Sequence, residues 1–251
     1  MLRNPLTTLL SVAALALVPG QGQDGTIDPG SFPRSTVPLA EGLTFADNLT
    51  LRAPKDFLRD YPARADGRLV TAVVEIPTGA CEKWEVKSDG VMRWDMKEGK
   101  PRHVKYLGYP CNYGMVPRTR LGHELGGDGD PLDMLVLGPA LPRGTVLSVR
   151  VIGVMHLVDG GDKDDKLIAL PTDSPLAAAE SISQLDALFP GVTTILETWF
   201  ENYKGKGALE CQGFGGEGEA EKLLAAAIES FASAERDAAR GGRNGKQRVL
   251  R

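Results

Sequence analysis

The segment VLSVRVIGVMHLV, residues 146–158, is a long and mostly β-branched apolar run, which predicts a β-strand. Gly153 interrupts it, and a glycine inside a strand often marks a bulge or the corner of a barrel. Shorter runs of the same type cover residues 69–76, 83–87, 91–95, 133–137 and 166–170. The turn at 88–90 predicts that two of these runs pair as a hairpin. Many short strands separated by turns predict a small closed barrel or a strongly curved sheet.

Helical patterns replace the strands in the last third of the chain. The sequence predicts helices over residues 181–189, 192–203 and 220–236. An apolar stripe runs along the second of these helices: Ile195, Leu196, Trp199 and Phe200. Strands followed by helices predict the α+β class. We therefore expect one domain, residues 67–240, built as a small closed five-stranded (OB-like) β-barrel with the C-terminal helices packed on it.

The N-terminus has the layout of a cleavable export signal. Residues 1–22 contain a basic residue, the apolar core LLSVAALALV at 9–18, and a Pro-Gly break. This core is too short to span a bilayer, so we expect an exported protein, periplasmic or secreted, with no stable membrane anchor. A buried N-terminal helix is the alternative. Residues 23–66 lack a sustained period and predict an N-terminal extension, and residues 241–251 predict a basic tail.

The composition argues against some classes of function. The net charge is −4, whereas proteins that bind the nucleic-acid backbone usually carry a basic face, so we expect no nucleic-acid partner. A small anion remains compatible with this charge if cations gather locally. The three cysteines cannot all pair within one chain, and a Cys81–Cys211 bridge and free thiols both remain open. The three histidines are scattered, which favours surface or packing positions.

The strongest chemical signal is the sequence DGDPLD at residues 128–133. Asp128, Asp130 and Asp133 lie close together, and like charges held together are costly unless a cation compensates for them. Gly129 and Pro131 disfavour a regular strand, so a bent loop can turn all three carboxylates toward one point. Hard oxygen ligands of this kind suit magnesium, manganese or calcium. The alternative is a solvated acidic turn.

A second acidic cluster follows the long apolar run. Its carboxylates are Asp159, Asp162, Asp164 and Asp165, with Lys163 and Lys166 among them. By itself such a cluster is usually a solvated hairpin tip. Two acidic loops at strand edges of one small barrel can meet, however, and together build a site for several metal ions. We expect this convergence.

Donors suited to phosphate lie elsewhere along the chain. They occur in KPR at 100–102, in YPCNYG at 109–114 and in the Tyr-Lys pair at 203–204. Charge-assisted donors of this kind bind phosphate, and arginine offers two parallel donors. The alternatives are aromatic packing for the tyrosines and surface charge for the lysines and the arginine. The sequence GFGGEG at 213–218 has the spacing of a dinucleotide-binding loop, but that function needs a returning parallel strand after it. We expect a flexible loop there.

Taken in order, these motifs resemble those of family I soluble inorganic pyrophosphatases. The D-x-D-P-x-D signature of that family is residues 128–133. The other matching segments are VEIP (74–77), KWE (83–85), GKPR (99–102), YPCNYG (109–114), the D-x4-D-x-K spacing at 159–166 and the Tyr-Lys pair at 203–204. The similarity covers about residues 69–235. The export signal and the extension depart from the short cytoplasmic bacterial members.

The resemblance implies a role for each matched residue. Several Mg²⁺ ions per active site would be held by Asp128, Asp133, Asp159, Asp164 and Glu75. Pyrophosphate would be bound by Lys83, Arg102, Tyr113, Lys166, Tyr203 and Lys204. Asp130 would act as the general base, and the catalytic set would be Asp130, Asp133, Arg102 and Tyr113.

The implied activity is hydrolysis of inorganic pyrophosphate to two phosphates. The resemblance also implies a homo-oligomer, a hexamer in the short members of the family and a dimer in the long ones. Two alternatives remain open. Another magnesium-dependent phosphohydrolase, acting on polyphosphate or nucleotides, would use the same metal chemistry. A non-enzymatic calcium-binding module would explain the acidic loop alone, although Pro131 disrupts the register of a calcium loop.

Overall fold

The computed structural model describes the backbone of residues 27–248 and the side chains of residues 27–240, so the predicted export signal lies outside the described residues. The strands, in chain order, are β1 (Thr44–Asp47), β2 (Thr50–Arg52), β3 (Val70–Ile76), β4 (Trp84–Val86), β5 (Met92–Trp94), β6 (Met96–Lys97), β7 (Lys100–Pro101), β8 (Asn112–Met115), β9 (Asp133–Val136), β10 (Val146–Asp159), β11 (Asp162–Lys163), β12 (Lys166–Pro171) and β13 (Leu209–Gly216). The α-helices are α1 (Ile182–Leu188), α2 (Val192–Asn202) and α3 (Glu217–Arg248).

Five of these strands pair into a ring. β3 pairs antiparallel with β8, β8 antiparallel with β9, and β9 parallel with β12. β12 pairs antiparallel with β10, and the first part of β10 pairs antiparallel with β3, which returns the path to its start. The α+β class, a ring of strands followed by C-terminal helices, is therefore confirmed. The runs predicted at 69–76, 133–137, 146–158 and 166–170 are β3, β9, β10 and β12.

The long strand β10 bends at its glycine. Its register with β12 shifts between Val151 and Gly153, as the position of the glycine predicted. A Cβ on Gly153 would lie 2.5 Å from the carbonyl oxygen of Gly215, so a larger residue would clash with the neighbouring backbone. Beyond the bend, β10 pairs with β13 and β11 and carries Asp159 at its end.

A smaller sheet has the strand order β1-β2-β5-β4. β4 and β5 form the predicted hairpin. β1 and β2 come from the predicted extension, where no strand was predicted. One hydrophobic core joins this sheet to the ring, and it includes Leu51, Trp84, Met92, Val73 and Met115. The N-terminal segment (residues 27–66) is therefore packed into the fold through its buried side chains.

α1 and α2 match the predicted helices closely in position. α2 buries Leu196, Trp199 and Phe200, but Ile195 is 60% exposed and does not belong to the buried stripe. α3 begins at Glu217, earlier than predicted, and continues to Arg248, into the predicted tail. None of the helices in the described part of the chain combines the length and the apolar character needed to cross a membrane.

The prediction of a flexible loop at 213–218 is wrong. Residues 213–216 are the end of β13, and Glu217 begins α3. Gly215 and Gly216 pair with Val154 and Gly153 of β10. Glycines carry no side chain that could show the alternation of a strand, and here they allow two backbones to approach closely. This is why the strand was not apparent in the sequence.

The cysteines are all free. Cys111 is buried, and burial raises the pKa of its thiol to about 12. Cys81 and Cys211 are partly exposed and form no disulfide with each other. The packed core therefore holds together without a covalent cross-link.

Candidate active site

A cavity of about 650 Å³ lies where β9 begins and β10 ends. Both acidic loops contribute to its wall, the first through Asp128, Asp130 and Asp133 and the second through Asp159 and Asp164. The other predicted site residues in the wall are Glu75, Lys83, Arg102, Tyr113, Tyr203 and Lys204. The twelfth, Lys166, contacts two of these carboxylates from beside the cavity. The structure thus brings together all twelve residues to which the resemblance assigned a role, whereas Asp162 of the second acidic cluster lies outside the cavity wall.

The first acidic loop is bent by one hydrogen bond within its own turn and two with Leu121. The Asp130 N–H donates to the Asp128 carboxylate at 2.9 Å. Gly129 has φ of 97°, a conformation that glycine adopts most easily, and its N–H donates to the Leu121 carbonyl at 2.8 Å. The Leu121 N–H donates in turn to the Asp130 carbonyl at 2.7 Å. Because of this bend, the carboxylates of Asp128 and Asp130 line the same cavity as the carboxylate of Asp133, the first residue of β9.

Asp133 is held by two donors from neighbouring strands. The parallel register of β9 and β12 places Lys166 opposite Asp133. Lys166 Nζ donates to Asp133 Oδ2 at 2.6 Å and to Asp164 at 2.9 Å, and Tyr113 Oη donates to Asp133 Oδ2 at 2.5 Å. Burial alone lowers the pKa of Lys166, but the two carboxylates raise it above its ordinary value. Lys166 therefore stays charged although its side chain is only 2% exposed.

Burial and neighbouring carboxylates raise the pKa of one carboxyl group in each acidic loop. Burial, followed by the charges of Asp128, Glu85 and Asp133, raises the pKa of Asp130 to about 6. Burial and the charge of Asp133 also raise the pKa of Asp164, although Lys166 acts in the opposite direction. An added cation would stabilise the ionised form of both carboxylates.

Cations and carboxylates alternate along another part of the wall. Glu85 pairs with Lys83 at 2.5 Å and also with Lys87, and these lysines lower its pKa to about 2 even though burial opposes the shift. Arg102 pairs with Asp95 at 3.1 Å, and Lys87 lies 3.5 Å from the same carboxylate. The carboxylates fix the cations in position while leaving some of their N–H donors available to a ligand.

Three other predicted residues complete the wall. Glu75 is buried in β3, where its carboxylate accepts the Val86 N–H at 2.6 Å, and burial raises its pKa well above the ordinary value. Lys204 pairs with Asp159. Tyr203 stacks on Trp199, with ring centroids 4.5 Å apart and an interplanar angle of 10°. The helix α2 thereby positions the Tyr-Lys pair at the cavity.

Sequence reasoning missed several residues of the wall: Arg59, Lys87, Asp95, Arg120 and Glu235. A signal existed for Lys87, because residues 83, 85 and 87 share one face of a strand. No signal existed for Arg59 and Glu235, which come from the N-terminal segment and α3 and pair with each other at 3.3 Å. The outer wall of the cavity is therefore set by tertiary packing.

The donor set fits magnesium. As they stand, no three His, Cys, Asp or Glu side chains among residues 27–240 are grouped tightly enough to hold a metal ion. Lys166 and Lys204 pair with carboxylates of the cavity. A tight cluster is not required, since magnesium keeps several waters and is often bound by one or two carboxylates together with substrate phosphates. Carboxylates from both acidic loops line one cavity. Two of them, Asp130 and Asp164, have raised pKa values, and a bound cation would lower these again by stabilising the ionised form.

Oxygen ligands for divalent cations, combined with cationic donors for an anion, are typical of metal-dependent phosphohydrolases. The family model for inorganic pyrophosphatase matches residues 72–232, which is more than half of the chain. The chain therefore belongs to the inorganic pyrophosphatase family.

Curated relatives match the same part of the chain. An inorganic pyrophosphatase of Mus musculus is 35% identical over 161 residues, which are 58% of this chain and 56% of that protein. A mitochondrial inorganic pyrophosphatase of Saccharomyces cerevisiae is 32% identical over 170 residues, or 59% of this chain and 55% of that protein. The chain thus spans about half the length of the curated relatives it matches.

Solved structures of pyrophosphatases resemble the fold. The inorganic pyrophosphatase of Schistosoma japonicum is 27% identical with a TM-score of 0.68, and the match covers 72% of this chain and 75% of that one. The type I enzyme of Toxoplasma gondii is also 27% identical with a TM-score of 0.68, and that match covers 80% of this chain and 99% of the other. The matches extend over most of the described chain.

Proposed function

We propose that this protein hydrolyses inorganic pyrophosphate to two phosphates in a cavity that takes several Mg²⁺ ions. The observation that carries the proposal is the meeting of two acidic loops, far apart in sequence, in one cavity with Lys83, Arg102 and Lys204. Membership of the inorganic pyrophosphatase family supports the same reaction. Pyrophosphate is strongly anionic and repels an attacking nucleophile, so positive charge around it is the main requirement for catalysis.

The proposed metal ligands are the carboxylates of both loops and of β3: Asp128, Asp133, Asp159, Asp164 and Glu75. When bound, magnesium would screen the phosphate oxygens and acidify a water molecule. Tyr113 and Lys166 both donate to Oδ2 of Asp133 and so hold its carboxylate in one orientation. This fixed orientation keeps Asp133 available to the cavity without rearrangement.

Asp130 is proposed as the general base that takes a proton from the attacking water onto a carboxylate oxygen. Without a bound cation the pKa of Asp130 is about 6, and a bound cation would favour the ionised form further. The carboxylate is therefore ionised at neutral pH and able to accept a proton. Water would attack phosphorus directly, so no covalent phosphoenzyme is expected.

The cationic and phenolic donors are proposed to bind the phosphoryl oxygens. They are Lys83, Arg102, Tyr113, Lys166, Tyr203 and Lys204. Glu85 holds Lys83, and Asp95 holds Arg102, so these donors are oriented before substrate arrives. Fixed donors stabilise charge on a departing phosphate without first having to reorganise. Arg102 and Tyr113 complete the proposed catalytic set with Asp130 and Asp133.

Phosphate release by the purified protein tests this function. We expect release from pyrophosphate in Mg²⁺, loss of release in EDTA and inhibition by Ca²⁺, with much slower hydrolysis of ATP and tripolyphosphate. Comparable rates on ATP or tripolyphosphate would support a broader magnesium phosphohydrolase. Calcium binding without phosphate release from any of the three substrates would contradict the proposal and favour the non-enzymatic module.

Replacing Tyr113 with phenylalanine should lower kcat/KM for pyrophosphate about 10- to 100-fold, because a hydrogen bond to a charged group is lost. The ring itself remains packed, so the fold should be retained. The control is Tyr106→Phe, which removes the hydroxyl of a ring that is 42% exposed and lies outside the cavity wall. Steady-state kinetics measure the effect, and equal kcat/KM for the two variants would exclude the proposed role of Tyr113.

Further proposals concern the whole protein. We infer that residues 1–22 direct export to the periplasm or the medium. We also infer that the chain assembles as a homo-oligomer, either a hexamer or a dimer. The five-stranded ring is proposed to be an OB-like closed barrel. The export proposal rests on the layout of the first 22 residues. Mass spectrometry of the exported protein would test the export proposal, and light scattering would test the oligomeric state.

A further inference from the structure

A buried arginine lies behind the cavity wall. Arg143 is fully buried, and its Nη1 donates to Ser35 Oγ at 2.8 Å and to Glu82 Oε2 at 3.0 Å. Its Nε donates to the backbone carbonyl of Glu75 at 2.9 Å. The guanidinium carbon lies 4.8 Å from the centroid of the Trp84 ring. One side chain therefore contacts the N-terminal segment, the end of β3 and the residues at the start of β4.

Backbone bonds attach the N-terminal segment to the same arginine. The Arg143 N–H donates to the Pro38 carbonyl at 2.8 Å, and the Ala40 N–H donates to the Arg143 carbonyl at 2.8 Å. Ser35 is buried beside them, with 7% of its surface exposed. Residues 35–40 are thus fixed to Arg143 by both backbone and side-chain bonds.

Glu82 receives three donors on a single carboxylate oxygen. Its Oε2 accepts from Ser35 Oγ, from Arg143 Nη1 and from Trp84 Nε1, the last at 3.2 Å. Glu82 immediately precedes Lys83, and Trp84 follows it. The donors on both sides therefore restrict the backbone that carries Lys83 into the cavity.

We propose that Ser35, Glu82 and Arg143 are positioning residues that hold Lys83 and Glu75 in place for the reaction. The proposal rests on the proposed function, because it assigns to the N-terminal segment a role in that same site. A buried ion pair contributes little net stability compared with apolar residues of similar size, so stability alone does not account for this polar network. Its bonds instead fix the relative position of β3 and β4.

A displacement of β4 would reach several site residues together. The Lys83 N–H donates to the Arg102 carbonyl at 3.0 Å, and the Asp95 N–H donates to the Lys83 carbonyl at 2.8 Å. The Val86 N–H donates to the Glu75 carboxylate at 2.6 Å. Because reacting groups tolerate little misplacement, loosening this network should lower the rate without removing any residue that contacts substrate.

The test uses two variants of the full chain and one matched control. Ser35→Ala removes the hydroxyl but leaves the ion pair. The double variant Glu82→Met with Arg143→Met replaces the pair by apolar side chains, which should preserve folding. The control is Arg64→Ala, which breaks a different contact of the N-terminal segment, the exposed ion pair with Glu221 outside the cavity wall.

At saturating Mg²⁺ and a temperature at which all the variants are folded, we expect kcat/KM to fall about 3- to 10-fold in Ser35→Ala. In the double variant we expect a fall of roughly 10- to 100-fold. Arg64→Ala should keep the wild-type value. If Ser35→Ala and every folded double variant stay within twofold of wild type, the proposal is overturned. If the double variant does not fold, Ser35→Ala decides the matter alone.

Hydrogen exchange separates failure of this proposal from failure of the proposed function. If wild-type protein releases no phosphate from pyrophosphate, the proposed function fails, and exchange of the amides in residues 82–86 then tests the positioning. Faster exchange in Ser35→Ala than in Arg64→Ala would support it. Equal exchange in the two variants would overturn it.

Discussion

Replacing Asp130 with asparagine should lower kcat for pyrophosphate hydrolysis by roughly 10²- to 10⁴-fold, the contribution of a well-placed general base. The reason is chemical, because an amide cannot accept the proton of the attacking water. The variant should fold as well as the wild type. The folded pKa, about 6, lies above the ordinary value of 3.8, so ionisation of Asp130 destabilises the fold increasingly as the pH rises from 3.8 to about 6, and by a constant amount above that. Removing the charge relieves this effect at neutral pH.

Steady-state kinetics and thermal unfolding of Asp130→Asn measure both expectations. Asp162→Asn makes the same chemical change at an exposed position on β11, outside the cavity wall, and should leave kcat unchanged. A melting temperature at or above that of the wild type, together with a large loss of kcat, supports the role of Asp130 as a base. Turnover within threefold of the wild type would exclude it.

Replacing Lys166 with methionine should lower kcat/KM by roughly 10²- to 10³-fold, because preorganised charge beside the reacting groups is lost. Stability should fall as well. Lys166 is the buried cation that pairs with both Asp133 and Asp164, and removing one partner of a buried pair costs about 3–5 kcal/mol. Because methionine is nearly as long as lysine, the loss of stability measures the missing charge and not a change in packing.

Urea unfolding in EDTA measures the stability, and steady-state kinetics in Mg²⁺ measure the rate. Mg²⁺ should restore part of the lost stability, since a ligand that binds only the folded state stabilises it by mass action. Lys163→Met is the control, because Lys163 is exposed on β11. Equal unfolding free energies for Lys166→Met and Lys163→Met in EDTA would show that Lys166 does not compensate the negative charges of Asp133 and Asp164.

The strands and the acidic loops were predictable because their signals are local. The apolar runs that became β3, β9, β10 and β12 are continuous in sequence, and the bend at Gly153 depends on a single residue type. The DGDPLD segment combines like charges with turn residues, so its chemistry and its bend are both visible in six positions. Local patterns of this kind require no knowledge of the neighbouring chain.

Structure that depends on distant partners was not predictable. The parallel pairing of β9 with β12 places Lys166 against Asp133, yet 33 positions separate the two residues. β13 consists partly of glycines, whose strand conformation becomes apparent only beside β10. β1 and β2 are only four and three residues long, too short for a clear alternating pattern.

The contact of the N-terminal segment with the site has even less of a sequence signal. Ser35 and Arg143 are 108 positions apart, and neither belongs to a motif. Their contact arises because residues 38–40 lie beside the turn before β10. A serine in a Pro-containing stretch predicts only a loop, so the network behind Lys83 could be found only in the folded structure.

Anomalous diffraction from crystals of this protein soaked in Mn²⁺ tests the central claim most directly. Manganese, like magnesium, prefers oxygen ligands, and it gives an anomalous signal that locates each ion. We expect manganese ions in the cavity, bound by carboxylates of both the 128–133 loop and the 159–164 loop. Manganese bound to only one of these loops, or only outside the cavity, would contradict it.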